Sequence, residues 1–96
     1  QGPNVYYYRD SAQGRAAAEI FANNLKLIYP YPELVKTVPT TTLVELRRTK
    51  VPAVLVEVAY HDNVDDANWI TSNIEPIAEN LSLSLADVLG VPFVEI

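Results

Sequence analysis

The segment VPAVLVEVAYHDN, residues 51–63, constrains this chain more than any other. Residues 51–60 form an apolar run without polar alternation. That pattern predicts a strand covered on both faces, the habit of a parallel sheet with helices on each side. One carboxylate, Glu57, interrupts the run. An unpaired buried carboxylate costs several kcal/mol or gives up its charge, so Glu57 must have a partner or a task.

The flanking sequence supplies the other layers. Val5, Tyr6, Tyr7 and Tyr8 are β-formers and predict a short strand. Asp10 or Ser11 caps a helix running through Ile28, because Ala16, Ala17, Ile20, Phe21, Leu25 and Ile28 recur at helical spacing. Tyr29-Pro30-Tyr31-Pro32 stops that helix, since a residue before proline is pushed out of the α region. Residues 33–42, with Pro39 and four threonines, read as a loop, and 43–46 is ambiguous between a strand and a helical turn. Asn63 or Asp65 then caps a short helix through Ile70. A last helix follows Asn73 over 74–89, stopped by Gly90 with Pro92 beyond.

The order β-α-loop-β-α-α predicts an α/β fold: a partial open sheet, mostly parallel, with helices packed on it. Residues 1–96 then form a single partial domain, because two or three strands make a thin sheet for two long helices. The chain opens without Met on QGPNVYYYRD, almost directly into a strand, and reads as a piece of a longer protein carrying no export signal of its own. A missing portion, a partner chain or self-association would have to complete such a sheet.

Composition narrows the function. A net charge of −5 and a pI near 4.6 argue against nucleic acid, which selects a basic face, and against anionic membrane surfaces. No apolar run approaches the roughly 20 residues of a spanning helix. With no cysteine, a disulfide, a thiolate metal site and a cysteine nucleophile are all excluded within the chain.

Ligands of open α/β sheets gather at the carboxyl ends of strands, and Glu57 stands towards that end, followed by Tyr60, His61, Asp62 and Asn63. A general base needs a carboxylate held near water yet shielded from the bulk, which suits Glu57. The plainer alternative pairs Glu57 with Arg47, Arg48 or Lys50 in a structural salt bridge. His61, the single histidine, is a candidate ligand or proton shuttle, although a lone loop histidine beside Asp62 is more often simply solvated. One histidine without cysteine does not build the usual zinc set. HDNVDD lacks the glycine turn and distal glutamate of a calcium loop, so Asn63, Asp65 and Asp66 read as helix-capping residues.

The stretch TLVELRRTKVPAVLVEVAYHDNVDDANWI carries a family resemblance. Pro52, Glu57, Ala59, Tyr60 and Asn63, then Asp65 and Asp66, resemble the glutamate strand and acidic helix of the zinc-dependent N-acetylmuramoyl-L-alanine amidases of the amidase 3 family. Leu46-Arg47 and the helix SAQGRAAAEIFANNL look similar too. Ala59-Tyr60 departs mildly from the family's usual glycine–phenylalanine. The resemblance implies that the chain is the C-terminal part of a larger three-layer domain. It implies that Glu57 is the catalytic glutamate, and that zinc in the intact domain is held by two histidines and a glutamate of the N-terminal half. Those ligand motifs are absent here and His61 does not match them, so the expectation is that the chain alone binds no metal and is inactive. Peptidoglycan is the implied substrate, in the bacterial cell wall or outside the cell, for a bacterial enzyme or a phage lysin. The missing half, or a second copy, is the expected protein partner. The competing reading is a non-enzymatic module that binds cell wall or assembles with another chain, and a third makes Glu57 purely structural.

Overall fold

The computed structural model describes residues 1–42, 53–59 and 62–90. Strand β1 (Asn4–Tyr8) leads to helix α1 (Ala12–Leu25), a 3-10 turn at Pro32–Leu34 and strand β2 (Lys36–Thr40). Strand β3 (Val54–Glu57) precedes helices α2 (Val64–Ser72) and α3 (Ile74–Leu89). The α/β reading therefore holds among the described residues.

Capping sets most helix boundaries. The Ser11 hydroxyl accepts the Gly14 N–H at 2.8 Å and starts α1. The Asn63 side chain accepts the Asp66 N–H at 3.0 Å and starts α2. Gly90 ends α3 in the left-handed conformation, φ 69°, which favours glycine. Helix α1 stops at Leu25 rather than at the expected Ile28, because Leu27 and Ile28 donate three residues back, to Asn24 and Leu25. This tightened turn delivers Tyr29 to Pro30, which has no N–H with which to continue a helix.

The sheet order is β2-β1-β3, with β1 parallel to β2 and antiparallel to β3. The sheet is thus mixed, and two expectations change in detail. Residues 36–40 lie inside the expected loop yet pair as a strand, with Pro39 opposite Tyr7. An outer strand tolerates proline where a central one does not, and Thr37, Val38 and Thr40 supply the β-branched positions. Strand β3 spans four of the ten residues expected for it; Val51, Pro52 and Tyr60, like the ambiguous segment 43–46, lie outside the described residues.

Pairing register assigns the two faces. Val5 and Tyr7 are buried and lie opposite Val56 and Val54, on the side where α1 contributes Ala18, Phe21, Ala22 and Leu25. Tyr29, Val35, Trp69 and Ile77 complete this core. Burying each large side chain is worth roughly 1.5–3 kcal/mol, so the core fixes α1 more firmly than its own helix propensity does. Helix α3 packs along α1 through a buried polar lock. Asn24 Nδ2 donates to Ser84 Oγ at 2.9 Å, and Asn80 Nδ2 donates to the Asn24 carbonyl at 2.8 Å.

The opposite face carries Asn4, Tyr6 and Tyr8 with Lys36, Val38 and Thr40 on one side and Leu55 and Glu57 on the other. Leu55 is 48% exposed. The unbroken apolar run of β3 therefore does not mean two equally covered faces among the described residues: Val54 and Val56 enter the core, while Leu55 and Glu57 face away from it.

Candidate active site

Glu57 ends β3 and pairs with Asn4, which pairs in turn with Lys36, so the three side chains form one row across the sheet. Because β3 runs antiparallel, its carboxyl end meets the amino ends of β1 and β2. Glu57 therefore stands at the carboxyl end of β3 alone, not of a parallel sheet. Its side chain is half-buried, on the face turned from α1, and no ion pair among the described residues includes it. Arg47, Arg48, Lys50, Tyr60 and His61 lie outside the described residues. What the fold provides at Glu57 is a carboxylate on a strand end, with Asn4 and Lys36 beside it and the apolar Leu55–Tyr6–Val38 row behind it.

At the entry to β1 lies a buried polar knot. Asp66 is 1% exposed and accepts the Gly2 N–H through Oδ2 at 2.8 Å and the Tyr29 hydroxyl through Oδ1. Gly2 has φ 95°, and a Cβ there would lie 2.7 Å from the Leu34 carbonyl oxygen, so the approach requires glycine. One carboxylate thus ties the entry to β1, the end of the α1 turn and the first turn of α2. Burial, and then the Asp66 carboxylate, push the Tyr29 hydroxyl well above its ordinary value of 10.0.

A raised folded value keeps the stabilising contribution of neutral Tyr29 whole below pH 10 and removes it as pH rises through the folded value, because the unfolded chain loses this proton first. Tyr29→Phe is expected to cost about 1–3 kcal/mol at neutral pH. The gap between wild type and variant should narrow above about pH 10 in urea titrations. A gap independent of pH would show that Tyr29 titrates normally.

Tyr29 also floors a cleft. Tyr29, Pro30 and Tyr31, with Asp65, Asp66, Asn68, Trp69 and Ser72 of α2, enclose about 300 Å³. Asp65, Asn68, Trp69 and Ser72 share one helix face by their spacing. Tyr29 and Trp69 meet edge to face, with centroids 5.0 Å apart, and the Trp69 indole N–H donates to the Ile28 carbonyl at 3.2 Å.

The amidase 3 family, described as N-acetylmuramoyl-L-alanine amidase, matches residues 1–87. The chain belongs to that family. Among solved structures, the CwlD amidase from Clostridioides difficile, in complex with the GerS lipoprotein, superposes with a TM-score of 0.83 at 19% identity. It covers 95% of this chain and 47% of its own. The catalytic domain of the CD27L endolysin targeting Clostridia difficile superposes with a TM-score of 0.73 at 26% identity, covering 97% of this chain and 48% of its own. The chain thus spans about half the length of the solved amidase structures it matches. No curated protein matches it.

Among the described residues no three of His, Cys, Asp and Glu come together to hold an ion. Asp65, the acid nearest the Asp66 knot in sequence, is exposed on the cleft side of α2, and Asp66 is committed to Gly2 and Tyr29. The described residues of this family member do not fit a zinc cage. None of its described helices is long and apolar enough to cross a membrane.

Sequence reasoning assigned Asp66 to helix capping and missed its larger role. Only Asn63 caps through its side chain; Asp66 turns inward to groups 37 and 64 residues away. Asp66 stands three residues before Trp69 and four before the partly buried Ile70, on the inward side of α2, a placement that could have raised the question of burial, but its partners were not legible.

Proposed function

We propose that this chain is a partial domain of a peptidoglycan hydrolase, matching the C-terminal part of a larger three-layer amidase, and that Glu57 is its general base. The bond cut is the amide between the lactyl group of N-acetylmuramic acid and L-alanine of the stem peptide. Family membership over residues 1–87 is the observation that carries this reading. The position of Glu57 at a strand end, half-buried on the face turned from α1, supports its role. Glu57 takes a proton from the attacking water as its oxygen bonds to the carbonyl carbon. It then returns that proton to the alanine nitrogen as the C–N bond breaks. The intact enzyme acts in the cell wall or outside the cell, and its zinc is held by ligands outside this chain.

The test is hydrolysis of purified peptidoglycan by the full-length protein, read as new amino termini of L-alanine. Release is the expected result. Sedimentation with cell walls without new amino termini would replace the amidase with a binding module. Elemental analysis of the 96-residue chain alone should find well under one zinc per chain. Stoichiometric zinc would mean that His61 and neighbouring acids make a site of their own.

A further inference from the structure

We propose that the cleft between the Tyr29–Tyr31 turn and α2 is a carbohydrate subsite that takes a pyranose ring of the glycan strand; the choice of glycan rests on the amidase reading above. The cleft combines an aromatic floor and wall with polar groups on one side, the composition of a small-ligand site. Tyr29 and Trp69 are buried and hold the floor rigid, each fixed by a hydrogen bond. Tyr31, 41% exposed and 5.9 Å from Tyr29 between ring centroids, offers aromatic surface for the apolar face of a sugar. Pro30 extends that wall.

The rim decides the ligand class. Asp65, Asn68 and Ser72 are exposed, line the cleft together, and make no side-chain hydrogen bond among the described residues. They present acceptors and donors in one row: a carboxylate, an amide and a hydroxyl. An ammonium ligand would use only the acceptors and leave the Asn68 amide hydrogens and the Ser72 hydroxyl proton without a role. A neutral ring bearing hydroxyl and acetamido groups uses both kinds. Asp66 beneath the cleft grips the Gly2 N–H and so ties the cleft to the entry of β1.

The chain has a single tryptophan, and it lies in the cleft, so intrinsic fluorescence reports directly on occupancy. The probe is a soluble N-acetylglucosamine oligomer titrated into the purified protein. Saturable change is expected, with affinity weakened at least about tenfold by Tyr31→Ala and by Asn68→Ala. Both residues are exposed, so both variants should keep the wild-type melting temperature. No saturation at millimolar sugar, equal affinity in both variants, or binding of a lysine-rich peptide in place of the sugar would each overturn the proposal. The oligomer contains no muramoyl–alanine amide. Its binding is therefore read independently of hydrolysis, and failure of the subsite and failure of the amidase reading give separate results.

Discussion

Glu57→Gln in the full-length protein is expected to lower turnover of purified peptidoglycan by about a hundredfold to ten-thousandfold, the usual contribution of a positioned general base, if Glu57 acts as proposed. The amide keeps the size and shape of the side chain and removes its ability to take a proton from water. Stability should change by no more than about 0.5 kcal/mol, because Glu57 is half-buried at a strand end and lies on the face turned from the core. The two readouts separate the competing accounts. A catalytic Glu57 gives lost turnover with an unchanged melting temperature. A salt-bridging Glu57 gives lowered stability with turnover in proportion to folded protein. Retained turnover in a folded variant would remove Glu57 from the mechanism.

Asp66→Ala has the largest expected effect on stability. It strips the acceptors from two buried donors, the Gly2 N–H and the Tyr29 hydroxyl. Each unsatisfied group costs about 1–3 kcal/mol, so the variant should lose roughly 3 kcal/mol and melt about 10–20 °C lower. That is a large share of the 5–15 kcal/mol that holds an ordinary domain together. Asp66→Asn should rescue only in part, since its amide group turns a donor towards a donor. Thermal unfolding of the three proteins side by side makes the comparison. Equal melting temperatures would show that water can replace the carboxylate. In that case the knot would be an exposed contact rather than a structural one.

The features legible in the sequence were local ones. Ser11, Asn63 and Gly90 set helix ends through their own side-chain or backbone chemistry, and each does so in the fold. The tyrosine run gave β1 for the same reason. Strand β2 was hidden by Pro39, whose lack of an N–H argues against a strand until it is known that β2 is the outer one among the described strands. The antiparallel pairing of β3 was hidden because an apolar run states that faces are covered, not which neighbour covers them. Asp66 was hidden most deeply: beside Asn63, an acid in the first turn is explained by the helix dipole, and nothing local says that it faces inward. Glu57 stood out as an odd charge, but the catalytic role proposed for it came from resemblance, not from spacing.

The sheet order has a consequence for biosynthesis. Of the three described strands the central one is made first, and both its neighbours come later in the chain. At roughly 5–20 residues per second, several seconds pass between the emergence of Tyr8 and that of Glu57. Throughout that interval NVYYY is a tyrosine-rich strand with at least one unpaired edge, the kind of segment that other nascent chains can capture. Helix α1, emerging directly after it, is the next described element, and it covers the core-facing residues Val5 and Tyr7. A slow passage of the ribosome just after α1 would therefore protect the nascent strand, and a slow passage before α1 would expose it.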